Sequence, residues 1–333
     1  MYYRFVVSAL CGLLLAASAG AQVQVEKVAY KGWKNNLRIK NGDAELIVTL
    51  DVGPRIISYR LADGKNVFKE YADQLGKSGE KTWQIRGGHR LWVGPEDLTR
   101  TYSPDNGPVQ HEILESAPPQ IVVTQDDKTY GIRKQMNIQL AMKGSQVRVR
   151  HRLTNIGSKP TELAAWALSV MAPGGVEFIP LPPKKPHPGS AKNAKTAEDF
   201  APNFSLAVWP YTDFGDGRWR IGSKYITLKQ DAKKGPAKIG LAHTTGWVGY
   251  LNAGTLFVKR FDYRKNLLYP DRGSNFETFT NQDMLEVETL GPLTKLAPGK
   301  SVDHTETWEL FADVKECQTE ADIDQHVLPK VGK

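Results

Sequence analysis

The chain of 333 residues is 40% apolar and 24% charged, with 30 Gly, 20 Pro and 8 Trp, a globular balance that excludes disorder, collagen and coiled coil. Its net charge of +8 bears on solubility rather than on fold. The densest basic runs, Lys184-Lys185 with Lys192 and Lys195, then Lys233-Lys234 with Lys238, lie among Pro and Gly without interleaved aromatics, so solvated loops are expected and no nucleic-acid partner.

Residues 1–21 read as a signal peptide: Arg4 supplies a positive flank, Phe5 to Ala17 a short apolar stretch, and Ala19-Gly20-Ala21 a small-x-small cleavage site. Export to the periplasm or the medium is the expectation. The stretch is shorter than the roughly 20 residues that span a bilayer, and no later segment is apolar enough, so no integral membrane segment is expected in the mature chain. Cys11 lies in the leader without the small residue expected before a lipidated cysteine. Only Cys317 then remains, which leaves no internal disulfide and a mature chain, 22–333, stabilised by its core as one domain.

From there the chain alternates short β-type runs with turn residues. Glu45 to Leu50 ends at Asp51-Val52-Gly53-Pro54, and Arg55 to Leu61 ends at Ala62-Asp63-Gly64-Lys65, which predicts a hairpin or β-arch. Similar runs lie at 121–124, 133–140, 146–153, 163–171, 224–229, 247–251, 256–261, 284–290 and 303–311. Helical patterns are confined to Lys69 to Leu75 and the tail after Thr319. An all-β fold of many antiparallel strands follows.

Chemistry-bearing residues come in four places. Gly87-Gly88-His89-Arg90-Leu91-Trp92 combines close backbone approach, a group titrating near neutrality, a fork of donors and a flat apolar plate, the parts of a sugar site; a structural turn with an Arg–carboxylate pair is the alternative. Residues 180–205, rich in Pro and Lys, read as a long loop of the kind that edges a site. Trp166, Trp209 to Phe214, Trp219 and Tyr269 read singly as core, and Asp213 with Asp216 as a weak calcium loop. In Leu285-Glu286-Val287-Glu288-Thr289, alternation places both carboxylates on one strand face, roughly 6.6 Å apart along the chain, where one acid can raise the other's pKa; Glu277, Phe276 and Phe279 precede them. His304 and Glu306 are the one close His–acid pair on a strand, a poor zinc signal. No nucleophile-elbow, phosphate-loop or dinucleotide motif is present.

Taken in order, Asp51 to Tyr59, then Val147 to Asn155 leading into Ala165-Trp166-Ala167-Leu168-Ser169, then Leu285-Glu286-Val287-Glu288 before Gly291-Pro292, resemble three signatures of the galactose mutarotase-like (aldose 1-epimerase-like) superfamily. The resemblance covers most of residues 40–312 and implies a large antiparallel β-sandwich with one concave, carbohydrate-binding sheet. Glu286 matches the family's proton-abstracting Glu, and Glu288 falls where the family has Gln. The family's His segment has no counterpart, since the stretch reads Ala165-Trp166-Ala167-Leu168.

The expectation is an exported carbohydrate-binding protein with an epimerase-like option: Glu286 as base and His89 as acid, with Arg55, Arg90, Trp92, Trp166, Glu277 and Glu288 binding the sugar, and neither metal nor cofactor required. A non-catalytic binding module is the close rival. A glycoside hydrolase ranks lower, because two carboxylates on one strand face do not flank a bond from opposite sides; it would need Glu96 or Glu277. An envelope interaction domain stands behind these. The sugar, its anomer and the oligomeric state are open.

Overall fold

The computed structural model describes residues 22–331; the expected signal peptide lies outside the described residues. Twenty-one described strands follow in chain order: β1 (Gln24–Tyr30), β2 (Trp33–Lys40), β3 (Ala44–Thr49), β4 (Arg55–Leu61), β5 (Gly88–Gly94), β6 (Gln110–Leu114), β7 (Gln120–Asp127), β8 (Ile132–Leu140), β9 (Val147–Asn155), β10 (Thr161–Met171), β11 (Val176–Pro180), β12 (Leu206–Val208), β13 (Trp219–Ile221), β14 (Tyr225–Lys229), β15 (Ala237–Leu241), β16 (Trp247–Asn252), β17 (Thr255–Phe261), β18 (Phe276–Thr280), β19 (Leu285–Leu290), β20 (Thr294–Leu296) and β21 (Ser301–Phe311). They form two antiparallel sheets. The front sheet has the order β1-β2-β3-β4-β5-β10-β19-β18-β15-β12, with β20 beside β10; the back sheet runs β13-β14-β11-β16-β17-β21-β9-β8-β7-β6.

Alternation fixes which side chains meet between the sheets. In β9, Val147, Val149, His151 and Leu153 point inward and the intervening Arg148, Arg150 and Arg152 outward, the period of two that a pleated strand imposes. One apolar cluster draws on both sheets, with Leu37, Ile56, Leu91 and Val93 from the front and Met136, Val149, Phe257 and Trp308 from the back. The part of the back sheet's outer face over β11, β16 and β17 is covered by the C-terminal tail. Its helices Glu320–His326 and Leu328–Val331, the first opened by a capping box at Thr319, place Ile323, Val327 and Val331 against Phe178, Leu251 and Val258.

Every run read as β-type is a strand, and the Asp51–Pro54 turn closes the β3–β4 hairpin. Lys69 to Leu75 is a correction: it forms no helix. Its backbone is taken by the front sheet, Lys69 N–H donating to Val170 O and Lys69 O accepting from Gly88 N–H. Strand β5 was read from the sequence as a group of site residues, with a turn as the alternative, and not as a strand. It is buried along its whole length, so the alternation that marks a half-buried strand is missing there. Segment 181–205 carries only the 3-10 turn Ala197–Phe200 and leads from β11 of the back sheet to β12 at the edge of the front one.

Candidate functional site

Strands β5, β10, β19, β18 and β15 lie side by side, and their register sets out the outer face of the front sheet. Arg90 stands opposite Leu168, Leu168 opposite Glu288, and Glu288 opposite Glu277. One row along, Trp92 faces Trp166 and Trp166 faces Leu290; on the other side, Val170 faces Glu286, Glu286 faces Phe279, and Phe279 faces Lys238. Seven chemically active side chains thus share one floor: Arg90, Trp92, Trp166, Lys238, Glu277, Glu286 and Glu288. The glycine pair lets β5 reach this position. A Cβ on Gly87 (φ +89°) would lie 1.9 Å from Lys69 O, and one on Gly88 (φ +71°) 2.4 Å from Ile56 O, approaches that only glycine permits.

Two ion-pair groups organise the floor. Arg90 Nη2 lies 2.9 Å from Glu286 Oε1, and its guanidinium lies over the Trp92 ring at 4.2 Å. Lys238 Nζ sits 2.7 Å from Glu277 Oε2 and 3.3 Å from Glu288 Oε2, between the rings of Trp166 at 4.6 Å and Trp209 at 4.7 Å. The Trp166 indole N–H donates to Glu288 Oε2 at 2.9 Å. Burial drives the Glu288 carboxyl up to about 7 against the pull of Lys238, with the Glu286 charge adding to the rise. Burial likewise holds Glu277 well above the usual range. For Lys238, burial alone would favour the neutral amine, but Glu288 and Glu277 overcome it and keep the amine charged. One cation between two buried carboxyls thus leaves room for one extra proton near neutrality.

Several floor atoms are buried without a hydrogen-bond partner: Arg90 Nε and Nη1, Trp92 Nε1, Glu286 Oε1 and Glu288 Oε1. The Arg90–Glu286 contact is an ion pair without a hydrogen bond, which leaves hydrogen-bonding capacity unused on both residues. Half-buried aromatics rim the floor. Trp83 packs on Trp92 at 4.9 Å and Tyr102 on Trp92 at 5.0 Å, and the Tyr102 hydroxyl donates to Glu96 at 2.5 Å. Trp92 and Lys238 at 5% and Glu286 at 6% exposure keep a narrow contact with solvent.

His89 is the main correction. Next to Arg90 in sequence, it points through the opposite face of β5 into the space between the sheets, is fully buried, and cannot serve as the acid opposite Glu286. Its Nδ1 bonds Ser169 Oγ at 2.9 Å and its Nε2 lies 2.7 Å from His151 Nε2. Because His151 Nδ1–H donates to the His304 carbonyl at 3.2 Å, His151 Nε2 must accept from His89, and Ser169 must donate to His89 Nδ1. Burial keeps both rings neutral, His151 held down to about 4 and His89 well below its usual value. Glu306 completes this inner network, accepting from Lys259 at 3.0 Å, Thr289 at 2.5 Å and Trp308 at 2.8 Å. Ligating atoms of His89, His151 and Glu306 fall within 4.8 Å of one another. The 2.7 Å His–His separation is that of a hydrogen bond; two nitrogens on a tetrahedral zinc stand roughly 3.3 Å apart. The His304–Glu306 pair is bridged by Thr289, whose hydroxyl lies 2.6 Å from His304 Nε2.

Arg55 is also a structural tie rather than a ligand group. Fully buried, it donates to Ile85 O and Gly87 O and pairs with Asp105 at 3.2 Å, fastening the two loops that carry Trp83 and Tyr102. Trp166, expected among the sugar-binding residues, carries Lys238 over its ring at 4.6 Å. The carboxylates share a face as the alternation predicts, but both are buried rather than solvent-facing. Sequence reading missed Lys238, placed among solvated loops although it is 5% exposed in β15. The signal was present: Ala237, Ile239 and Leu241 alternate around it.

No family profile matches the chain, and no curated protein matches it in sequence. Solved structures do match. A provisionally named aldose 1-epimerase from Klebsiella pneumoniae has a TM-score of 0.58 at 12% identity, covering 90% of this chain and 85% of that one. A galactose mutarotase-like protein from Lactobacillus casei has a TM-score of 0.52 at 11% identity, covering 83% and 100%. A TPR-domain containing protein from Parabacteroides distasonis reaches 0.56 at 13% identity over 90% of this chain and 56% of its own. At such identities the likeness is one of fold.

Proposed function

We propose that this chain, which has the galactose mutarotase-like fold, is an exported protein that binds a carbohydrate on the outer face of its front sheet, with Glu286 and Glu288 as its acid–base pair. The observation that carries this reading is the set of buried, unpartnered atoms on Arg90, Trp92, Glu286 and Glu288 inside a ring of aromatics. Buried polar groups are nearly always satisfied, and a polyhydroxylated ring supplies donors and acceptors at its edge and an apolar face for Trp83 and Tyr102.

Glu286, paired with Arg90, is the base that takes the anomeric hydroxyl proton. Glu288, with its carboxyl near 7, is the acid that protonates the ring oxygen, so that the ring opens and recloses on either face of the carbonyl. Glu277 faces Glu288 across adjacent strands, on the same side of any ligand, which disfavours bond cleavage between flanking carboxyls. A non-catalytic binding module is the second reading, favoured by the Trp166 hydrogen bond that already engages Glu288.

The test measures binding by calorimetry and anomer exchange by NMR for hexoses and uronic acids, in the wild type, Glu286→Gln and Glu288→Gln. Exchange that is lost in both variants while binding persists supports the pair. Unchanged exchange in Glu286→Gln removes that residue from the chemistry, and saturable binding with no exchange in the wild type assigns the module.

A further inference from the structure

A cavity of about 420 Å³ opens on the outer face of the back sheet, away from the carboxylate floor. Val176 and Phe178 of β11, Thr227 and Lys229 of β14 and Leu251 of β16 form its base, and the tail at Glu316 to Gln318 closes one side. The register puts Arg220, Thr227 and Phe178 in one row and Lys229, Val176 and Leu251 in the next, so these side chains share that face.

Three cations line this space: Arg218, Arg220 and Lys229. Arg218 is 6% exposed. Asp216 grips its Nε at 2.9 Å and its Nη2 at 2.8 Å, while Nη1 is buried with no hydrogen-bond partner. A guanidinium held from behind by a carboxylate and left with a free donor is a preorganised anchor for an oxyanion. Arg220 donates to the Gln318 carbonyl, which ties the tail to the rim. Lys229 is exposed and has no carboxylate partner among the described residues. Glu316 is the one acid on the lining. The Asp213–Asp216 loop, a weak calcium candidate in the sequence, does the reverse: Asp213 caps Gly215 N–H and Asp216 orients a guanidinium.

We propose that this cavity is a binding site for a small ligand bearing one oxyanion group, a carboxylate or a phosphate ester, anchored by Arg218 and Lys229. The site is independent of the carbohydrate reading and stands or falls separately from it.

Cys317 lines the same cavity and gives a local readout, the rate of its alkylation by neutral iodoacetamide, followed by mass spectrometry on the full chain. The probes are inorganic phosphate and acetate, against acetamide and against NaCl at matched ionic strength. A probe at ten times its Kd slows alkylation about tenfold, since only the unoccupied protein reacts, while acetamide and NaCl leave the rate unchanged. Protection by phosphate without acetate assigns a phosphate ester, and the reverse a carboxylate. Protection falls severalfold in Lys229→Gln, whose exposed position spares the fold, and is lost in Arg218→Gln. Equal slowing by NaCl or acetamide, no slowing by either anion, or full protection in Lys229→Gln would overturn the proposal.

Discussion

Lys238→Met tests the electrostatics of the carboxylate floor. At an effective dielectric near 20, the amine at 2.7 Å from Glu277 and 3.3 Å from Glu288 attracts them by about 6 and about 5 kcal/mol before desolvation. Removing one partner of a buried ion pair leaves an uncompensated charge and costs about 3–5 kcal/mol. The orphaned carboxyls escape that cost only by taking up protons. For an ordinary carboxyl this takes about 5 kcal/mol at pH 8 but less than about 1 kcal/mol at pH 5. In the variant both carboxyls have folded pKa values above their unfolded ones, so the stability they contribute is present at low pH and lost as pH rises. Urea unfolding at the two pH values is the assay: a loss of about 3–5 kcal/mol at pH 8 that shrinks to about 1–2 kcal/mol at pH 5. Adding Glu277→Gln restores part of the loss at pH 8. An equal loss at both pH values would refute the reasoning, leaving the lysine as a packed stem between Trp166 and Trp209.

Glu288, raised to about 7 by burial, gives ligand binding or anomer exchange a pH midpoint near 7. Glu288→Gln abolishes that midpoint, and its persistence in the variant would assign it to another group. The same carboxyl stabilises the fold below pH 4.5, an effect lost as pH rises toward 7. The buried histidines act in the opposite sense. Burial holds His151 to about 4 and His304 and His243 to about 3, so their contribution is complete above pH 6.5 and is lost as pH falls from there. His243 packs against Phe261 and Phe276, and His243→Phe flattens the acid limb of a melting-temperature profile; an unchanged limb would remove that histidine as a source. Gly88→Ala, whose Cβ meets Ile56 O at 2.4 Å, lowers stability by about 3 kcal/mol or more in urea unfolding, and a loss below about 1 kcal/mol would mean that β5 can back away from β4.

The parts of the fold that were legible are those where one strand face is apolar. Strands β8 and β9 alternate cleanly and were visible as written. Strand β5 was not, because loops bury its outer face and its inner face carries His89 beside Leu91 and Val93, so both parities mix polar and apolar residues. Lys238 is a different case: the alternation of Ala237, Ile239 and Leu241 marks its strand, but its partners Glu277 and Glu288 lie 39 and 50 positions away, and nothing local announces a charge pairing across strands. Glu286 and Glu288 were legible because the strand period alone places them together. His89 was misplaced for a related reason. Grouping His89, Arg90 and Trp92 in one site let all three side chains converge, whereas a strand sends His89 to one side and Arg90 and Trp92 to the other.

That division along β5 shapes the chemistry open to the outer face. The imidazoles bonded to β5 lie on the inner side, neutral and spent on Ser169, on each other and on the His304 carbonyl, and none of the described groups bonded to or stacked on the floor is a histidine. An acid working near neutrality must then come from a carboxyl moved upward by its surroundings. Burial does this for Glu288, and Lys238 limits the rise by attracting the ionised form. Without the lysine, Glu288 and Glu277 would both hold their protons through neutrality. With a second free cation, both would stay ionised. A single amine shared by two buried carboxyls leaves one proton exchangeable near pH 7, two residues along β19 from the Arg90-paired Glu286, and the chemistry proposed for this face depends on that balance.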